Sequence, residues 1–190
     1  MQAITQYANG ELWEHEWERE YKYGVILFIP PEPLLSMVNQ LRQKYDSFSA
    51  EGCCAHISLT MPLKSPLTIE GINEIQKKLS NFNRFKVKYG PFINFLPVAN
   101  GVVLEIKEQE EFEKLYKIIE SVERVEFYSR KWPFKAHMTI AEFISKDDTL
   151  ALTEELNKNL IHGSFICHRV SYMVPNQDMI FENIMDFNLK

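Results

Sequence analysis

The sequence predicts an α+β fold of two pseudo-symmetric lobes, each a mainly antiparallel sheet with helices on its outer face, with an active-site cleft between them. Three observations predict it. Apolar residues alternate with period two in some segments and recur every three to four residues in others. The resulting order strand, helix, strand, helix, strand occurs twice. The distances agree between the copies: Val25 precedes His56 by 31 residues and Val103 precedes His137 by 34, while Phe85 and Phe165 follow those histidines by 29 and 28. Sequence identity between the halves is slight, so what repeats is the pattern, and a repeated pattern implies two similar units.

The elements follow in order. Residues 1–20 are polar and acidic but carry Leu12, Trp13 and Trp17, and the four-residue spacing of the tryptophans suits one helical face. This segment is read as an appended helical arm, and residues 21–190 as a single bilobal unit. Residues 23–29 form an apolar run that ends in Pro30-Pro31-Glu32-Pro33, a buried strand and its turn. Leu34, Val38, Leu41 and Tyr45 mark an amphipathic helix. A polar loop over 46–52 leads into the first histidine strand. Ile69, Ile72, Ile75 and Leu79 mark the next helix, then Phe85, Val87 and Tyr89 alternate as a strand that Gly90-Pro91 interrupts, with 92–96 a new strand or a bulged continuation.

A strand over 102–106 opens the second half, followed by a helix with Phe112, Leu115, Tyr116, Ile119 and Val122 on one face and then by the second histidine strand. Ser145 and Asp148 have the spacing of a capping box, and Leu152, Leu156 and Leu160 give the helix behind them its apolar stripe. Residues 165–174 read as one strand and 179–187 as the last.

Composition narrows the function. The net charge of −5 opposes long-range attraction of a polyanion, so long duplex nucleic acid is not an expected partner. No apolar run approaches the roughly 18 residues that span a bilayer, and the N-terminus lacks a secretory pattern, so no membrane is expected and a cytoplasmic location is. The three cysteines, Cys53, Cys54 and Cys167, do not make a disulfide framework and read as reduced thiols. Oligomeric state is left open.

The chemistry rests on two tetrapeptides, His56-Ile57-Ser58-Leu59 and His137-Met138-Thr139-Ile140. In a strand, residues two apart share a face, so each segment offers an imidazole and a hydroxyl to the same side. Equivalent positions of two related lobes bring histidines 81 residues apart into one cleft. Two imidazoles can act as general base and general acid on a phosphodiester, and Ser58 and Thr139 can donate to its non-bridging oxygens as their charge grows. With ordinary histidine pKa values the expected pH profile is a bell near neutrality. No third His, Cys or carboxylate stands at short ligand spacing beside either histidine, so neither metal nor cofactor is expected.

The remaining candidates are weaker. Arg130 and Lys135, with Lys131, form a basic cluster before the second motif that could hold a small phosphorylated ligand, against the competing reading of a solvated cluster. Phe134 is a candidate for stacking on a base, with core packing the favoured role. His15, His162 and His168 have no comparable context. Thr60 is read as a packing residue, and Cys53 and Cys54 show no sign of an activated thiolate.

The doubled His-x-Ser/Thr pattern and the two-lobed order around it resemble the 2H phosphoesterase superfamily, the 2′-5′ RNA ligase-like proteins and cyclic phosphodiesterases. The resemblance spans about residues 21–189 in organisation and is specific in the two tetrapeptides. It implies a metal-independent phosphoesterase with His56 and His137 as the acid–base pair and Ser58 and Thr139 as phosphate-binding hydroxyls. Its expected substrates are RNA ends or nucleotides with a 2′,3′-cyclic phosphate or a 2′-5′ linkage. Reversible ligation and a noncatalytic nucleotide-binding module are the alternatives.

Overall fold

A computed structural model describes residues 6–190. Two four-stranded antiparallel sheets form its frame. In the first, β2 (Ile57–Ser58), β1 (Val25–Phe28), β7 (Arg169–Pro175) and β8 (Phe181–Asn188) lie side by side in that order; in the second, the order is β5 (His137–Glu142), β4 (Gly101–Ile106), β3 (Phe85–Asn94) and β6 (Gly163–Cys167). The helices are α1 (Leu34–Tyr45), α2 (Ser47–Gly52), α3 (Ile69–Leu79), α4 (Gln109–Glu120) and α5 (Lys146–Asn157). None of the described helices is long and apolar enough to cross a membrane.

The two sheets correspond strand for strand: each histidine strand is an edge strand paired with the first strand of its own half. The halves interleave more than expected, however. The closing strands of both halves, β3 and β6, pair with each other in the second sheet, and β7 and β8 complete the first. The run read as one strand over 165–174 is therefore two strands in different sheets, parted at the exposed His168.

One apolar core joins the sheets. Phe28 of β1 stacks on Phe165 of β6 at 5.2 Å and meets Phe112 of α4 edge-on at 6.1 Å. Ile57 and Leu59 beside the first motif, and Met138 and Ile140 inside the second, are fully buried in this core. Strand alternation then forces the histidines and hydroxyls to the opposite face.

Three further expectations need correction, and the bulged-continuation reading of 92–96 is the one that holds. The segment over 46–52 is the short helix α2, because the Asp46 side chain accepts from Ser49 N at 3.1 Å and caps it. Helix α5 ends at Asn157, whose side chain bonds both backbone groups of Phe92 at the bulge of β3 (3.0 and 2.8 Å), so Leu160 is exposed instead of extending the stripe. Gly90, at φ +94°, lets the chain turn within β3, and 92–94 continue that strand. The described part of the N-terminal segment forms two short 3₁₀ helices, Gly10–Leu12 and Glu16–Tyr23. Trp13 lies between them, buried, with its indole N–H on Gln177 O at 3.1 Å, while Trp17 is exposed, so the tryptophans do not share a helical face. The reading of an arm over 1–20 extends over residues 1–5, outside the described residues.

Candidate active site

The two histidine strands adjoin each other across the junction of the sheets. Both histidines are half-buried, and both are held in the same way. His56 Nδ1 lies 2.7 Å from Cys54 O, and His137 Nδ1 lies 2.6 Å from Lys135 O. Each Nδ1–H thus donates to the carbonyl two residues upstream, which fixes the ring and leaves Nε2 as the free nitrogen. Ser58 is exposed and Thr139 half-buried on the same faces as their histidines, whereas the Thr60 hydroxyl is occupied, accepting from Ile26 N at 3.1 Å.

Burial pushes the His56 pKa down to about 4, against the opposing Cys54 carbonyl bond; the charges of Arg42 and His137 push it the same way as burial. His137 is lowered as well, by burial first and then by the Lys135 ammonium, with the Lys135 carbonyl opposing. Both shifts lie on the acid side of the ordinary histidine value, so both favour the uncharged imidazole and move the free protein away from a bell near neutrality.

A pocket of about 490 Å³ opens beside the second motif, lined by His137, Thr139, Phe95, Val103, Glu142 and Phe143 among others. The Phe95 ring meets His137 at 4.8 Å, nearly perpendicular, and carries the Lys135 ammonium 4.9 Å from its centroid. Lys135 therefore sits at the mouth of the site.

Arg130 and Phe134 are placed differently. The Arg130 guanidinium donates to Leu59 O at 2.7 Å, pairs with Glu120 at 3.5 Å and lies over the rings of Tyr116 and Phe134. Phe134 packs on Tyr116 at 4.5 Å against the core. Both hold the backbone that follows Ser58 and precedes His137, which leaves the basic cluster's guanidinium engaged internally.

The sequence reading missed Arg42. This buried side chain of α1 donates to Thr139 O (3.3 Å), Ser49 O (2.6 Å) and Cys53 O (2.9 Å), tying the second motif to the segment that carries the first. Its signal was present: Arg42 follows Leu34 and Val38 at four-residue spacing, so the helix places a cation on its buried stripe. The adjacent thiols respond to the same surroundings. Cys54 is pulled down to about 7 by the hydrogen bond from Cys53, with Arg42 adding to the effect against burial, while Cys53 is raised by that bond and by burial. Cys53 Sγ lies 3.5 Å from His56 Nδ1, the nitrogen already bonded to the Cys54 carbonyl. His162 and His168 are exposed away from the motifs, and His15 stacks with Trp17 at 6.1 Å. Among the described residues, no group of three His, Cys, Asp or Glu side chains gathers where it could hold a metal ion.

This fold, with an imidazole and a hydroxyl presented from equivalent edge strands, defines a class of two-histidine phosphoesterase-like proteins. The chain belongs to the 2′-5′ RNA ligase superfamily, whose model matches residues 30–178. It is 28% identical over 133 residues to a Bacillus pumilus (strain SAFR-032) protein named "Putative phosphoesterase", a match covering 67% of this chain and 73% of that one. A Geobacillus sp. (strain WCH70) protein of the same description is 24% identical over 143 residues, covering 74% and 80%. Among solved structures the fold is similar to that of E. coli LigT complexed with 3′-AMP, with a TM-score of 0.60 at 13% identity over 87% of this chain and 97% of that one. The LigT complex with NADP+ gives 0.55, also at 13% identity, over 87% and 96%.

Proposed function

We propose that this protein is a metal-independent phosphoesterase that cleaves 2′,3′-cyclic phosphates or 2′-5′ phosphodiester bonds of RNA ends or nucleotides. The observation that carries the reading is the repeated Nδ1 hydrogen bond, which gives both histidines one tautomer and one free Nε2 at equivalent positions. The nucleotide complexes of the LigT neighbour support a nucleotide substrate.

The environments of the rings divide the work. His56, the imidazole with the deeper shift and beside the buried Arg42 cation, stays neutral and is the general base toward the attacking water. His137 is the general acid toward the leaving ribose oxygen, taking up its proton as the anionic phosphodiester binds and offsets the Lys135 charge. Ser58 and Thr139 donate to the non-bridging oxygens, whose charge grows in the transition state. One P–O bond forms to the water oxygen and one breaks to the ribose oxygen, and a proton moves from water to His56 while another moves from His137 to the leaving group.

The test is turnover of 2′,3′-cyclic nucleotides in EDTA. Wild type is expected to be active, and His56→Ala and His137→Ala to lose about 10²–10⁴-fold in kcat. Undiminished turnover in either variant would overturn the acid–base assignment. Tight binding without turnover by wild type would favour a noncatalytic module.

A further inference from the structure

We infer that the N-terminal segment completes a second nucleobase subsite, so that the preferred substrate is an oligonucleotide of at least two residues rather than a lone cyclic nucleotide. The inference rests on the proposed reaction and adds to it the substrate's length. A groove of about 620 Å³ runs beside the catalytic pocket and shares Glu142 and Phe143 with it. Its other walls come from the 3₁₀ segment through His15 and Trp17, and from α2 through Phe48.

Three of these rings face solvent: Trp17 is 49% exposed, Phe48 54% and Phe143 80%. Phe143 also holds a φ of +59°, a left-handed conformation that is costly for a bulky residue. Folding gains nothing from a strained backbone that presents a ring to water, whereas a stacking platform does. Phe143 follows Thr139 by four residues, about 13 Å along an extended chain. Thr139 and Phe143 line one pocket, so a phosphate at Thr139 and a base against Phe143 would share one continuous space.

The charges at the groove select which part of the nucleotide enters. Lys44, Asp46 and Glu142 line it: the Lys44 ammonium pairs with Glu155 at 3.7 Å, the Asp46 carboxylate accepts from Ser49 N and Glu142 N, and the Glu142 carboxyl is raised by burial and by the neighbouring Asp46. With the Lys44 ammonium paired to Glu155, the groove's carboxyls disfavour a phosphate, and Glu142 can accept a hydrogen bond from the N–H groups of a base edge. The base therefore occupies the groove while the phosphate stays at the motifs. The segment is tied to this region by ring contacts: His15 meets Phe48 of α2 edge-on at 5.9 Å, and Trp17 meets Tyr21 edge-on at 6.1 Å.

The experiment compares kcat/KM for a 2′-5′-linked dinucleotide, or a dinucleotide ending in a 2′,3′-cyclic phosphate, with that for the 2′,3′-cyclic mononucleotide. Trp17→Ala and Phe48→Ala are expected to lower the dinucleotide-to-mononucleotide ratio by roughly 5- to 100-fold, the effect of one lost base stack. An unchanged ratio in both variants overturns the subsite. If wild type turns over neither substrate, the proposed reaction fails separately, and calorimetric binding of the dinucleotide against its abasic analogue reads the subsite alone. Base-dependent binding that Trp17→Ala weakens upholds it, and equal binding overturns it. Sedimentation of wild type as a dimer that Trp17→Ala dissociates also overturns it, because the groove is then an interface between copies.

Discussion

Replacing Arg42 by Met tests whether one buried cation sets the geometry of both motifs. The guanidinium donates to three carbonyls, those of Thr139, Ser49 and Cys53, and the chain continues from Cys53 directly to the carbonyl that orients His56. A hydrogen bond from a charged donor contributes about 1.5–3 kcal/mol net. Part of that is offset here by desolvating the guanidinium, whose Nε is buried without a partner. Arg42→Met therefore costs about 2–4 kcal/mol of stability, read as a lower urea midpoint at constant m. Loosened motifs are expected to lower kcat by roughly 10- to 100-fold, the scale of a displacement near 1 Å in a reacting group. The pH profile separates this role from plain structural support. Arg42 holds the His56 pKa down, so its loss raises that pKa and moves the acidic limb of kcat/KM to higher pH. Arg42→Lys keeps the charge and restores the limb without restoring all three bonds. A variant within about 0.5 kcal/mol of wild type, with kcat unchanged, would refute the reasoning; lost stability with an unmoved limb would refute the coupling to His56.

Two other predictions bear on the same site. His56 is depressed from 6.5 to about 4, so the unfolded chain binds the proton more readily, and stability present above pH 6.5 falls as pH drops toward 4. The loss is on the order of 3 kcal/mol at most from this residue, with His137 adding in the same direction; urea midpoints at pH 7 and pH 4.5 should differ less in His56→Gln than in wild type. In the proposed reaction Thr139→Val and Ser58→Ala remove donors to the transition state from residues that the core does not hold, so each should lower kcat by about 10²-fold with the urea midpoint nearly unmoved. A collapse of the fold in either variant, or full activity in both, would count against the phosphate-binding role.

What the sequence disclosed depended on the range of the interaction. The facing of His56, Ser58, His137 and Thr139 was legible because period-two alternation is local, and Ile57, Leu59, Met138 and Ile140 are fully buried on the other side. The cap at Ser145 was legible for the same reason, and its hydroxyl does accept from Asp148 N. The split of residues 165–174 between two sheets was not, since which strand pairs with which depends on partners about 80 residues away for β6 and on β1 and β8 for β7. The end of α5 depended on Asn157 reaching Phe92, a contact no window around Asn157 contains. Arg130 read as a free cation because its acceptor, Leu59 O, lies 71 residues away. Arg42 differed from these: its spacing marked it, but a charge on an apolar stripe reads as noise until its acceptors are known.

The proposed division of labour also bears on how a duplicated frame could support opposite tasks. Backbone geometry treats the histidines alike, since each sends Nδ1–H to the carbonyl two residues upstream. Acid and base roles cannot come from that shared feature. In the proposed reaction they come from what each half places beside its ring. The first half sets His56 near the buried Arg42 and two thiols, a fixed cation that no ligand displaces. The second sets His137 beside Phe95 and the exposed Lys135, a cation that a bound phosphate can neutralise. In the proposed reaction, anion binding would raise the proton affinity of His137 more than that of His56, so the substrate itself would separate the two pKa values. It follows that Lys135→Gln should raise the His137 pKa and move the alkaline limb of kcat/KM to higher pH while the acidic limb set by His56 stays in place, and an unmoved alkaline limb would count against the assignment.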